Sequence, residues 1–112
     1  MNAAYNDIRK ELELMRRELR SRLDQEKHNL YLMEMGGELF EGLTGNQEQK
    51  RRTVLHHIQQ DLKDVERALF KMDIGMYGIC EETGQPLSLE QLRIIPTACT
   101  VHEFVYERLK TV

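Results

Sequence analysis

Cys80, Cys99 and His102 are the residues of this chain whose types could hold a metal or carry redox chemistry. Cys99 and His102 stand in a C-x-x-H spacing, and Cys80 would add a third ligand to an irregular metal site. Neither cysteine belongs to a C-x-x-C pair or has an evident activating base, so both read more simply as small packing residues than as reactive thiols. Two cysteines make no disulfide framework, which suits free thiols in a cytoplasmic protein. His56 and His57, adjacent on a helix, point to different faces and form no paired metal site alone. Arg16, Arg17, Arg20 and Arg22, with Lys50, Arg51 and Arg52, are interleaved with glutamates and lack stacking aromatics. They read as solvated helix faces with internal ion pairs, not as a nucleic-acid groove. There is no Gly-rich phosphate loop, nucleophile elbow or H-E-x-x-H, so no catalytic residue is assigned and an enzyme is not expected.

The elements that must position these residues follow from hydropathy. Tyr5, Ile8, Leu12, Met15, Leu19, Leu23, Leu30 and Met33 recur at three-then-four spacing, interrupted near Glu26. The stripe resumes as Leu55, Ile58, Leu62, Val65, Leu69 and Met72. Gly36 and Gly37 can end the first helix, and Asn46 with Gln49 has capping-box spacing for the second. Two such helices joined by a short loop run antiparallel, zipped along their apolar seams. A first helix of this extent is about 48 Å long, giving a thin rod whose exposed surface explains the 31% charged residues. Asp73-Ile74-Gly75 stops the second helix.

Beyond the stop, residues 77–80 and 84–87 read as two short extended pieces around a turn. Ser88 and Gln91 have capping-box spacing, and Thr97, after Pro96, can cap a last helix whose face carries Val101, Phe104, Val105 and Leu109. The predicted organisation is a coiled-coil helical hairpin over residues 1–74, with its tip at about 36–46, and a small lobe with a C-terminal helix over 75–112. The fold class is mainly α. A net charge of −3 over 112 residues argues against attraction to DNA or an anionic membrane. No run approaches the roughly 18 apolar residues of a membrane span, and Asp7, Arg9, Lys10 and Glu11 stand where a secretory signal would be apolar.

The long helical hairpin, followed by Gly78-Ile79-Cys80-Glu81-Glu82-Thr83-Gly84, Leu92 and Pro96-Thr97-Ala98, resembles the DksA/TraR family, and within it the zinc-poor, YteA-like branch of Bacillus-type bacteria. The layout is shared by the whole chain; Tyr77 to Ala98 carries the specific likeness. Metal-bearing family members close the lobe with two C-x-x-C pairs, whose spacing selects Cys80, Thr83, Val101 and Phe104 here. One thiolate, one hydroxyl and two hydrocarbon side chains make no tetrahedral zinc site, so the lobe is expected to be a degenerate zinc finger closed by apolar packing, with no cofactor.

The resemblance implies a transcription regulator that inserts its hairpin into the secondary channel of bacterial RNA polymerase core and touches no DNA. The family's D-x-x-D-x-A tip pattern falls on Gly37, Phe40 and Gly42, so both aspartates are missing. One residue on, Glu38, Phe40 and Glu41 lie in an E-x-x-E-x-L arrangement, as acidic tip candidates or as solvated loop charges. Arg93, Arg108 and Lys110 are the expected rim contacts. The residues leave open co-regulation by guanosine tetraphosphate. The rival reading is a diverged structural or adaptor coiled coil that keeps the scaffold and has lost DksA-like activity.

Overall fold

The computed structural model describes residues 3–36 and 45–104. A 3-10 turn, Ala3–Tyr5, leads into helix α1, Asn6–Gly36; α2 spans Gly45–Asp73 and α3 Leu89–Ile94. Arg9 at the start of α1 pairs with Asp73 at the end of α2 at 2.7 Å, and Glu34 near the end of α1 with Arg52 near the start of α2 at 2.6 Å. The two long helices are therefore an antiparallel hairpin, the coiled-coil fold that the apolar spacing predicts. α2 already includes Gly45, so Asn46 lies in its first turn and not ahead of it as a cap.

Tertiary contacts divide the chain into two compact units. The first is Met15–Lys63, which takes in α1 from Met15 onward and α2 up to Lys63. Leu19 and Ile58 are buried there, while Met15, Leu23, Leu30, Met33, Leu55 and Leu62 are half-buried along the same stripe. Where the stripe breaks, half-buried Glu26 faces Arg51 at 4.0 Å. The basic tract on α2 thus supplies ion pairs within the hairpin.

The second unit is Met1–Leu14 with Asp64–Val112. Ile8 and Leu12 of α1 and Val65, Ala68, Leu69 and Met72 of α2 are buried in it, as are Tyr77, Cys80, Leu87, Leu92, Ala98 and Phe104. α2 stops in a Schellman arrangement: Gly75 takes φ +76, its N–H donates to the Met72 carbonyl, and Met76 N–H donates to the Lys71 carbonyl at 2.8 Å. The two expected extended pieces are reduced to one antiparallel bridge, Ile79 with Pro86, flanked by Leu87 N–H to Gly78 O and Cys80 N–H to Gln85 O.

The Ser88 capping box of α3 has both legs, each 3.0 Å: Gln91 N–H donates to Ser88 Oγ and Ser88 N–H to Gln91 Oε1. Thr97 does not cap the last helix; helical backbone begins at His102. Glu103 reaches back to accept the N–H groups of Cys99 at 2.6 Å and Thr100 at 3.0 Å, donors that a helix start leaves unpartnered. The expected positions Val105, Arg108, Leu109 and Lys110, and the tip residues Glu38, Phe40 and Glu41, lie outside the described residues.

Candidate functional site

The lobe's chemistry is organised around the turn that begins at Cys80. Its tightness comes from two glycines in left-handed conformations, Gly78 at φ +84 and Gly84 at φ +73, with Gly84 N–H donating to Cys80 O at 2.9 Å. At Gly78 the lack of a side chain is also a packing requirement. A Cβ there would lie 2.8 Å from the Tyr5 hydroxyl and 3.2 Å from Leu92 Cδ1. Tyr5 meets Tyr77 edge-to-face with ring centroids 5.1 Å apart, and Tyr77 donates its hydroxyl proton to the Pro96 carbonyl at 2.7 Å. Burial, helped by nearby Tyr5 and Glu11, raises the Tyr77 pKa, which keeps that hydroxyl a donor.

Of the four positions selected by the C-x-x-C spacing, Thr83 and the Val101 backbone lie against the Cys80 thiol. Cys80 is buried at 1% exposure. Its sulfur accepts from the Thr83 hydroxyl and the Thr83 N–H, then, more weakly, from the Val101 and Glu82 N–H groups; these donors hold the thiol down to about 7 against the opposing effect of burial. Thr83 Oγ1 in turn accepts from Gln85 N–H at 3.3 Å. Phe104 is buried, and its N–H donates to Val101 O. The donor set is one sulfur and one hydroxyl, with hydrocarbon at the other two positions, and so does not fit a structural zinc.

The alternative ligand set is not assembled. His102 Nε2 faces Glu82 at 2.8 Å on the surface, and the Cys99 thiol donates to Thr97 O at 3.6 Å while lying 3.7 Å from the Lys71 ammonium. Among the described residues no group of three or more His, Cys, Asp or Glu side chains could hold a metal ion. Arg93 is exposed on α3. No described helix is long and apolar enough to cross a membrane.

Sequence reasoning missed the charge cluster beside the turn. Glu81 takes the Lys71 ammonium at 2.6 Å and the Arg67 guanidinium, both from α2. Lys71, together with Arg67, holds the Glu81 carboxyl below its ordinary range despite some burial. The available signal was the i,i+4 spacing of Arg67 and Lys71, which puts two cations on one helix face just before a lobe containing Glu81-Glu82.

No family model matches the chain. Individual proteins do. The uncharacterized protein YlyA of Bacillus subtilis (strain 168) is 39% identical over 106 residues, covering 95% of this chain and 80% of that protein. The uncharacterized protein YteA of the same organism is 40% identical over 48 residues, 43% of this chain and 20% of that protein. The RNA polymerase-binding transcription factor DksA of Caulobacter vibrioides (strain NA1000 / CB15N) is 43% identical over 37 residues, 33% of this chain and 26% of that protein. Among solved structures, transcription factor DksA2 from Pseudomonas aeruginosa superposes with a TM-score of 0.74 at 26% identity, covering 98% of this chain and 86% of that one.

Proposed function

The chain belongs to the DksA/TraR family, in its YteA-like branch, and from that premise we propose that it is a transcription regulator that binds RNA polymerase core through the secondary channel. The observation that carries this reading is the fold match over 98% of the chain to a protein described as a transcription factor. The shorter match to a DksA described as RNA polymerase-binding supplies the partner. In this reading residues 1–74 form the hairpin that enters the channel and 75–112 the lobe that rests on its rim. Glu38, Phe40 and Glu41 are then the tip contacts, and Arg93, Arg108 and Lys110 the rim contacts. The net charge of −3 favours a protein partner over nucleic acid.

The regulator works without zinc in this reading. A structural zinc contributes on the order of 10–16 kcal/mol of apparent binding energy in small metal-dependent domains. Here the buried Phe104 and the donors around Cys80 close the lobe in its place, backed by the packing of the lobe on the ends of α1 and α2.

Co-purification with purified core polymerase, followed by competition with another secondary-channel factor, tests the proposal. Saturable, competable binding supports it. Absence of binding at micromolar concentration removes it, and a tight dimer in sedimentation would favour the adaptor reading instead. A Glu38→Ala, Glu41→Ala double variant that binds equally but transcribes unequally would assign the tip its role. Stoichiometric zinc in protein purified without chelator would overturn the metal-free part alone.

A further inference from the structure

Glu81 sits at a junction that neither the apolar core nor the polymerase reading uses. Its backbone N–H donates to the Cys99 carbonyl at 2.8 Å, while its carboxylate leaves the turn to meet Lys71 at 2.6 Å and Arg67 one helical turn earlier on α2. The Lys71 side chain is only 15% exposed, and its ammonium also lies 3.7 Å from Cys99 Sγ. One lysine of α2 therefore touches both segments that frame the turn. The bonds that shape the turn itself, Cys80 N–H to Gln85 O and Gly84 N–H to Cys80 O, are internal to it and do not attach it to α2.

We propose that Glu81 is a salt-sensitive latch: its pairing with Lys71 and Arg67 fastens the Cys80–Gly84 turn to α2, and its release uncovers the Cys80 thiol. Four thiolates around a metal would hold such a turn whatever the ionic strength, but the donor set here closes no metal site. The charge cluster that takes over faces solvent, with the Glu81 and Arg67 side chains 36% and 55% exposed, so dissolved ions screen it. Cys80 follows because it precedes Glu81 in the chain, and in the seated turn it is 1% exposed. Local opening of this kind costs far less than global unfolding and leaves α1 and α2 paired.

The test is alkylation of Cys80 by iodoacetamide in the full chain carrying Cys99→Ser, at fixed pH, in about 0.01 M and about 1 M salt. Rates are normalised to a small free thiol under the same conditions. With the latch present, high salt speeds alkylation by about five-fold, the population change that roughly 1 kcal/mol of lost closure produces. Glu81→Gln is labelled at the fast rate already in low salt and loses the salt response. Glu82→Gln, whose carboxylate pairs with His102, keeps wild-type protection. Arg67→Gln falls between, which keeps the test decisive if Glu81→Gln loses the helical circular dichroism of the wild type. Labelling of a helical Glu81→Gln at the wild-type rate, or an unchanged salt response in it, overturns the latch. The readout involves no polymerase, so its failure and that of the proposed function are separable.

Discussion

The two compact units are built from the same two helices and bury their residues differently. Between Met15 and Lys63 only Leu19 and Ile58 among the described residues are buried, and their neighbours on the stripe stay half-exposed. In the other unit the same stripe, as Ile8, Leu12, Val65, Leu69 and Met72, is sealed. The sequence pattern is no stronger there. What differs is a further layer: Tyr77, Leu87, Leu92, Ala98 and Phe104 belong to that unit and have no counterpart among the described residues of the other. Two helices in contact cover one strip of each other, and full burial needs a third surface. The small lobe is therefore a structural lid on the helix ends as well as a platform of its own.

If that contrast is right, truncating a sealed residue costs far more than truncating its half-buried equivalent. Leu12→Ala, at 0% exposure, lowers stability by about 3 kcal/mol, whereas Leu23→Ala costs roughly 1 kcal/mol because water already reaches its site. Thermal unfolding followed by circular dichroism reads both, and equal losses would break the comparison.

A second test probes the close contact of the lobe with the start of the chain. Gly78→Ala costs about 2 kcal/mol, since it adds left-handed strain to a Cβ 2.8 Å from the Tyr5 hydroxyl. Gly75→Ala has the strain without the clash, having nothing within 4 Å, and is the milder change in the same denaturation assay.

Tyr77→Phe comes next. It keeps the ring against Tyr5 and removes only the donor to the Pro96 carbonyl, for a loss of about 1 kcal/mol in urea unfolding. The smallest effect is electrostatic. The folded-state pKa of Glu81 is depressed, so its contribution is fully present above the unfolded value of about 4.3 and is lost as pH falls through the lower folded value. Acid titration of stability in wild type and Glu81→Gln shows it as a difference that closes at low pH. Partial exposure and screening keep it below about 1 kcal/mol.

Much of this architecture was legible because helices repeat. Each apolar residue of the stripe, from Ile8 to Met72, lies where three-then-four spacing places it, and the break at Glu26 marks an ion pair with Arg51. The Ser88 box was legible because both partners lie within one turn. Legibility fails where partners are distant in sequence. Arg67 and Lys71 look like any solvated i,i+4 pair until Glu81 is placed beside them. Tyr5 and Tyr77 give no local sign of each other. Thr97 looked like a cap by type, whereas the helix start is satisfied by a glutamate reaching backward from position 103. Around Cys80, the resemblance singled out Thr83 and Val101 but could not say that backbone N–H groups would turn toward the sulfur.

The unit that includes Tyr5 is discontinuous, and the Met15–Lys63 unit is nested inside it. A ribosome makes Tyr5 some seventy residues before its ring partner Tyr77. The nested segment is complete in the nascent polypeptide well before its enclosing one. Translation thus imposes a sequence of assembly in which Tyr5 waits for its cover until Tyr77 has been made.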